Sequence, residues 1–312
     1  MHDEESGITP ILLSVVIPAY NYADRLERCL ESVLCQLTEQ AELIVVDDGS
    51  TDDTPAVLDR LQHGQPNFCH IRQLNRGAAA ARNHGLRLAA GRFVLFLDAD
   101  DELMPGTLDA VSAHLNRHPE TDLLIGGHIS RRTDGREKTS RPGTFPESPR
   151  ARIAAYLIHK RIDLGHGSFV ARKALLAGCP YPETLRKRED IPVFAYLLAS
   201  ARIACLDHVM VRVHKHENSL RRSIFDGNKD FMVFVTEVFR LLPTTCQPLL
   251  RSYAAIRAQS ALRNALASRQ WGDARHHLIS SLGHDWRQAL RPLHVRKALR
   301  ALLAGGGKPA QR

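Results

Sequence analysis

Asp98, Asp100, Asp101 and Glu102 stand within five positions, directly after the apolar run Phe93 to Leu97, in the stretch "RFVLFLDADDE". Two further apolar runs end in acid or turn residues: the acidic "DDGSTD" at 47–52 closes "AELIVV", and the turn-like "PAYN" at 18–21 closes "LLSVVI". Acidic side chains gathered at a cleft bind a hard divalent cation through oxygen ligands, and a cation held there can neutralise a diphosphate. Each stretch alone has a plainer reading, in which Asp47, Asp48 and Asp52 cap a following helix and Asp100 and Asp101 make a turn. Three such stretches at successive strand ends favour a binding site.

The elements that carry these acids alternate between strand and helix. "LLSVVIPAY" is a β-branched run, and "YADRLERCLESVLCQL" follows with Leu26, Leu30, Val33, Leu34 and Leu37 at helical spacing. "AELIVVDDGSTDDTP" is a second buried strand, after which Thr54 and Pro55 mark a helix start. "FCHIRQL" is a third strand, and the Ala-rich "GAAAARNHGLRLAAG" a helix for which Gly91 is the expected C-cap. The acid-terminated run at 93–97 is the fourth strand. Continuous apolar strands joined by helices predict a mainly parallel α/β sheet covered on both faces, with ligands bound at the carboxyl ends of its strands.

Bulk properties set limits on the rest. The chain has 312 residues, 44% hydrophobic and 24% charged, enough for one large domain with a smaller appendage. Six cysteines without a CxxC pair read as reduced, structural thiols. The first residues lack a basic start and apolar run, and no uninterrupted apolar stretch is long enough to span a bilayer, so a cytoplasmic protein is expected. The net charge of +8 is uneven: residues 221–312 hold 16 Lys or Arg against 5 Asp or Glu. That asymmetry predicts a catalytic body over 1–220 and a helical basic region over 221–312. No GxGxxG follows the first strand, which argues against a nicotinamide dehydrogenase, and no nucleic-acid-binding motif is present.

The strings "VVIPAYN", "IVVDDGSTDDT", "NRGAAAARNHGL", "GRFVLFLDADD" and "KRED" follow, in that order and at similar spacing, the pattern of the family 2 glycosyltransferases. Over about residues 12–220 the sequence resembles that family. The resemblance implies the GT-A fold, a Rossmann-like, mainly parallel sheet flanked by helices, and inverting transfer from a nucleoside diphosphate sugar. It implies that Asp48 accepts the N3 hydrogen of a uracil or thymine base, with Pro18 and Tyr20 of "PAYN" beside the base. A charge-assisted bond of this kind selects an imide donor, which favours UDP or dTDP over GDP.

By the same resemblance Asp100 is the main ligand of a divalent metal, Mn or Mg. Asp98 is implied near the ribose and metal, and Asp101 and His216 as further metal candidates. A cation there stabilises charge growing on the leaving diphosphate. Arg82 is expected to reach the pyrophosphate. In "KRED" the implied general base is Asp190, with Glu189 beside it on the acceptor side, although two acids opening a helix also complement its N-terminus. Gly167 and Ser168, with His166 between Gly165 and Gly167, are expected in the acceptor wall. The acceptor expected is a glycan or lipid-linked glycan of cell-envelope polysaccharide or lipopolysaccharide synthesis. Two rival readings are a catalytically inactive nucleotide-sugar binding module and a haloacid-dehalogenase-type phosphatase, whose DxD normally belongs to an early strand.

Beyond residue 220 the pattern fades. "FMVFVTEVFRLL" and "RSYAAIRAQSALRNALASR" are helical in period, and Arg251, Arg257, Arg263, Arg269 and Arg275 recur every six residues, which does not keep them on one face. The clustered cations with interspersed Leu and Trp suit an anionic membrane surface, a peripheral attachment rather than a span.

Overall fold

The computed structural model describes residues 10–215 and 231–304, with side chains to residue 300. His216, one of the expected metal candidates, lies outside the described residues. Two compact units divide the chain: described residues 10–145 with 162–215, and 146–161 with 231–304. The short excursion 146–161 groups with the C-terminal helices, a feature that a single cut at residue 220 does not describe.

The first unit is built on one sheet. β1 (Leu13–Ala19), β2 (Ala41–Asp47), β3 (Phe68–Arg72) and β4 (Phe93–Phe96) pair in parallel, in the order β3-β2-β1-β4. These are the four apolar runs expected from sequence, linked by α1 (Ala23–Leu34), α2 (Thr54–Gln62) and α3 (Ala78–Leu88). Beyond β4 the sheet becomes mixed. β5 (Glu102–Leu103), α4 (Thr107–Arg117), β6 (Leu123–Arg131) and β7 (Glu137–Ser140) come next, then β8 (Phe169–Arg172), α6 (Lys173–Ala177), α7 (Asp190–Ser200) and β9 (Ile203–His214). β8 runs antiparallel to both β4 and β6, while β6 and β9 are parallel.

Leu13, Val15 and Ile17 of β1 point to one face, where Leu26, Leu30 and Val33 of α1 and Leu108, Val111 and Leu115 of α4 cover them. Each such fully buried aliphatic side chain contributes about 1.5–3 kcal/mol, so this layer fixes where the strand ends lie. The alternate residues Val16 and Val46 face Gly85 of α3 on the other side. Gly91 differs from its expected role. α3 ends at Leu88 with Ala89 as its cap, and a Cβ on Gly91 would lie 2.6 Å from the Ser14 nitrogen. The glycine is there for close approach to β1, not to end the helix.

The second unit begins with α5 (Pro149–Ile153), which runs into a π-helical turn over Ala154–Ile158. It continues with α8 (Phe231–Phe239), α9 (Leu249–Ala267), α10 (Trp271–Ala289) and α11 (Pro292–Ala304). The arginines spaced by six on α9 separate, as expected from that spacing: Arg251 is exposed, whereas Arg257 lies over the Phe234 ring at 5.5 Å and Arg263 is half-buried.

Candidate active site

The carboxyl ends of β1 and β2 are tied to each other before either can serve a ligand. Asn21, in the left-handed region at φ 56°, accepts the Thr51 N–H at 2.8 Å through Oδ1, while its own N–H donates to Ser50 Oγ at 3.0 Å. Asp52 accepts the N–H groups of Ala23 and Thr54 at 3.1 and 3.0 Å, so this acid does cap helix starts. Asp47 turns back to the Ser50 N–H at 2.9 Å.

Asp48 does neither. It is buried, and its carboxylate accepts from Gln73 Nε2 at 2.8 Å, from the Arg76 N–H at 2.9 Å and from the Gly77 N–H at 2.7 Å. The loop between β3 and α3 is thereby hung on one carboxylate. Tyr20 remains 43% exposed, an open ring face at the end of β1.

At the end of β4 the acids divide their tasks. Asp98 meets Arg82 Nη2 at 2.8 Å and His166 Nδ1 at 3.5 Å. Burial opposes its ionisation, but the contacts with His166 and Arg82 outweigh that and hold the carboxyl well below the usual range. Asp101 is buried and accepts the His214 N–H at 2.9 Å, which fastens β9 to this corner. The Asp100 backbone carbonyl accepts from Arg28 Nη2 at 3.0 Å. Glu102 faces away, toward Arg28 at 2.8 Å and His214 Nε2 at 2.7 Å.

Tyr22 and Cys29 report the field of the remaining acids. Both are held well above their ordinary ionisation range, first by burial and then by Asp98, Asp100 and Asp101 acting on the same groups. Three carboxylates therefore converge on one region. Among the described residues, no three His, Cys, Asp or Glu side chains are grouped to hold a metal ion by themselves. The donor set still suits Mg²⁺ or Mn²⁺ bound with a substrate, because such ions commonly use one or two carboxylates and take further oxygens from phosphates and water.

Arg82 is not directed outward. Its guanidinium is buried, bonds Glu189 through Nη1 at 2.9 Å and Asp98 through Nη2, and stands 5.4 Å from the Tyr181 ring centroid. The expectation of a direct reach to a pyrophosphate has to accommodate this double pairing. Burial alone would favour the neutral form, yet Asp98, Tyr181 and Glu189 keep the guanidinium more firmly protonated than usual. Asn83, one residue on, brackets Tyr181 by accepting its N–H at 2.8 Å and donating to its carbonyl at 2.9 Å. The Tyr181 hydroxyl then meets His166 Nε2 at 3.0 Å. Tyr181 and Gln73 were not marked by the sequence: Tyr181 lies between two prolines in "CPYPE", with no motif around it.

Glu189 is the N-cap residue of α7 and Asp190 its first helical residue. Glu189 is committed to Arg82, whereas Asp190 forms no ion pair with a described residue and is half-buried. Gly167 has φ +77°, and a Cβ there would come within 2.7 Å of Val211 Cγ2 and 3.2 Å of Leu97, so the backbone itself is pressed against the end of β4. Ser168 is buried and donates its hydroxyl to the Gly165 carbonyl at 2.7 Å, within its own turn. Pro18 lies near the end of β1, paired in register with Val46.

Comparison with known proteins bears on this arrangement. A sequence model of the family described as Glycosyl transferase family 2 matches residues 14–177. Over 93 residues, or 30% of the chain, the sequence is 41% identical to an uncharacterized glycosyltransferase, YibD, of Escherichia coli, covering 27% of that protein. It is 40% identical over 126 residues to an Escherichia coli chondroitin synthase (40% of this chain, 18% of the relative). To a PGL/p-HBAD biosynthesis glycosyltransferase of Mycobacterium bovis it is 39% identical over 130 residues (40% and 50%). The matches thus span no more than half the length of these relatives. Among solved structures, S. aureus TarS 1-349 in complex with UDP-GlcNAc superposes with a TM-score of 0.67 at 22% identity, over 94% of this chain and 89% of that one. The chain belongs to glycosyl transferase family 2 and has its GT-A fold.

Proposed function

We propose that this chain transfers a glycosyl group from UDP- or dTDP-sugar to a hydroxyl, with inversion at the anomeric carbon. The observation that carries the reading is the double ion pair on Arg82, 2.8 Å to Asp98 and 2.9 Å to Glu189. Through it one acid after β4, Asp98, and one at the start of α7, Glu189, far apart in sequence, share one guanidinium. A donor site and an acceptor base must be held at one cleft, and a link of this kind supports that reading.

In the reaction, Asp190 accepts the hydroxyl proton as the acceptor oxygen bonds to the anomeric carbon. The bond from that carbon to the diphosphate breaks, and the diphosphate leaves with its electron pair. One base and no second nucleophile give inversion by direct displacement. Asp48 and Tyr20, with Pro18, recognise the pyrimidine base. Asp98, held ionised by Arg82 and His166, serves the ribose side. A bound Mg²⁺ or Mn²⁺ supplies charge neutralisation on the diphosphate; Asp100 with Asp98 would hold it, with Asp101 and His216 as additional candidates. Gly167 and Ser168 shape the acceptor wall by their tight turn.

The relatives support the donor and acceptor classes. TarS 1-349 has been crystallised with UDP-GlcNAc and with UDP, and other relatives are a chondroitin synthase and a PGL/p-HBAD biosynthesis glycosyltransferase. The acceptor proposed is a glycan or lipid-linked glycan in cell-envelope polysaccharide or lipopolysaccharide synthesis, reached in the cytoplasm.

A thermal-shift panel of UDP, dTDP and GDP sugars, with and without Mn²⁺, tests the donor. Stabilisation by the uridine and thymidine nucleotides, greater with metal, is expected. Stabilisation by GDP sugars alone overturns it. Transfer followed by NMR of the product anomer tests inversion, and binding without any turnover would favour an inactive sugar-nucleotide binding module.

A further inference from the structure

The chain has two tryptophans, Trp271 and Trp286, and both belong to α10 with 59% and 58% of their surface in solvent. Large rings are usually well covered in a folded protein, so two exposed ones in one helix ask for a partner. Leu278, Ile279 and Leu282 are exposed on the same helix, Ile279 to 60%. At the helical step of about 100° per residue, Trp271, Leu278, Ile279 and Leu282 share one sector roughly 100° wide. Ala274, His277 and Ser281, the buried residues of this stretch, lie outside that sector. Trp286 follows a break in the helix at Asp285, whose φ of −160° and ψ of 93° are extended.

Exposed apolar residues continue past the end of α10 with Leu290 and on α11 with Leu293, Val295 and Leu299. On α11 the spacing of Leu293, Arg296, Lys297 and Arg300 is i, i+3, i+4, i+7, which is one face. Over residues 271–300 there are six Lys or Arg, namely Arg275, Arg287, Arg291, Arg296, Lys297 and Arg300, against the two acids Asp273 and Asp285. Asp285 already accepts the Ser252 hydroxyl at 2.5 Å.

We propose that α10 and α11 form an interfacial surface that binds an anionic lipid bilayer. The combination of groups selects this occupant. A nucleic acid would use the cations and leave the tryptophans and leucines in water, and a second copy would bring an equally cationic face against this one. A bilayer surface satisfies both sets: indole rings at headgroup depth, aliphatic side chains in the acyl boundary and arginines on anionic headgroups. No helix among the described residues is long and apolar enough to cross a membrane, so the contact is with the surface. The inference rests on the helical unit alone and stands whether or not the donor assignment is correct.

Because both tryptophans lie at the proposed surface, the unmodified protein carries its own probe. Tryptophan emission and co-sedimentation are measured with vesicles of phosphatidylcholine alone and of phosphatidylcholine mixed with phosphatidylglycerol. A blue shift and co-sedimentation are expected with the anionic vesicles only, weakening as salt rises. The variant R296E/K297E/R300E should lose affinity by roughly a hundredfold. L278S/I279S/L282S, which keeps both tryptophans, should lose the shift, with thermal melting confirming that each variant is folded. No shift with anionic vesicles, or equal binding to both vesicle types that the charge variant does not alter, overturns the proposal. So does self-association in solution that the same two variants abolish, which would make the face a contact between copies.

Discussion

Arg82 stands 2.8 Å from Asp98 and 2.9 Å from Glu189, buried, with the Tyr181 ring along one side. A planar guanidinium can hold two carboxylates at fixed angles, and a lysine ammonium is a single point charge on a flexible stem. The expected result for Arg82→Lys is a folded protein whose turnover falls about a hundredfold, the usual cost of a small misplacement in a reacting pair. Donor affinity should change far less than turnover. Steady-state kinetics beside donor titration check this, and near-normal turnover in the lysine variant would show that the bridge does not position the site.

Asp190 opens α7 beside an acid that is already paired, and the proposed division of roles between the two neighbours rests on that difference. Asp190→Asn removes the proposed base while keeping size and shape, so transfer should fall about 10²–10⁴-fold with donor binding unchanged. Glu189→Gln keeps a hydrogen-bond acceptor for Arg82 and should retain most activity. If the two variants lose activity to the same extent, Asp190 is not the base and the pair acts together on Arg82.

Asp48 has two claims on it. It hangs the loop before α3 through the N–H groups of Arg76 and Gly77, and it is the proposed partner of the pyrimidine imide. An asparagine keeps one acceptor and turns an amide donor toward N–H groups that need acceptors, a mismatch worth about 1–3 kcal/mol of stability. Asp48→Asn should therefore lower the melting temperature and also narrow the preference for UDP over GDP. A lower melting temperature with the nucleotide preference intact would leave Asp48 with the loop alone.

Much of this architecture is readable from residue order. Parallel strands buried on both faces are largely apolar, so β1, β2 and β4 are visible as runs, with β2 and β4 leading into acids and β1 into the polar Tyr20 and Asn21. The links between those ends are not readable. The contact of Arg82 with Glu189 and of Asn83 with Tyr181 joins residues a third of the chain apart, and no local period encodes such a pair. Gly91 shows a different failure: a glycine after a helical stretch carries the same local signal whether it ends the helix or admits a neighbouring strand. Arg82 in an Ala-rich helix likewise reads as a solvated or ligand-facing cation, because its burial depends on acids supplied by other elements.

Away from the cleft, Asp122 fastens the start of β6 to two arginines, Arg172 at the end of β8 and Arg202 just before β9, each at 2.8 Å. The Arg202 side chain is the main cause, burial working in the opposite direction and Arg172 adding to it, of a carboxyl pushed down to about 2. In the unfolded chain the same carboxyl titrates near 4. A group whose folded value is depressed stabilises the fold fully above its unfolded value and loses that contribution as pH falls toward its folded value. Asp122→Asn should thus cost about 1–2 kcal/mol at neutral pH, a partly solvated pair being screened relative to a buried one. The gap between wild type and variant should then close between about pH 4 and pH 2. Denaturant melts of both proteins across that range decide the matter: a gap that stays constant with pH would mean that the asparagine acts through packing rather than through the lost charge.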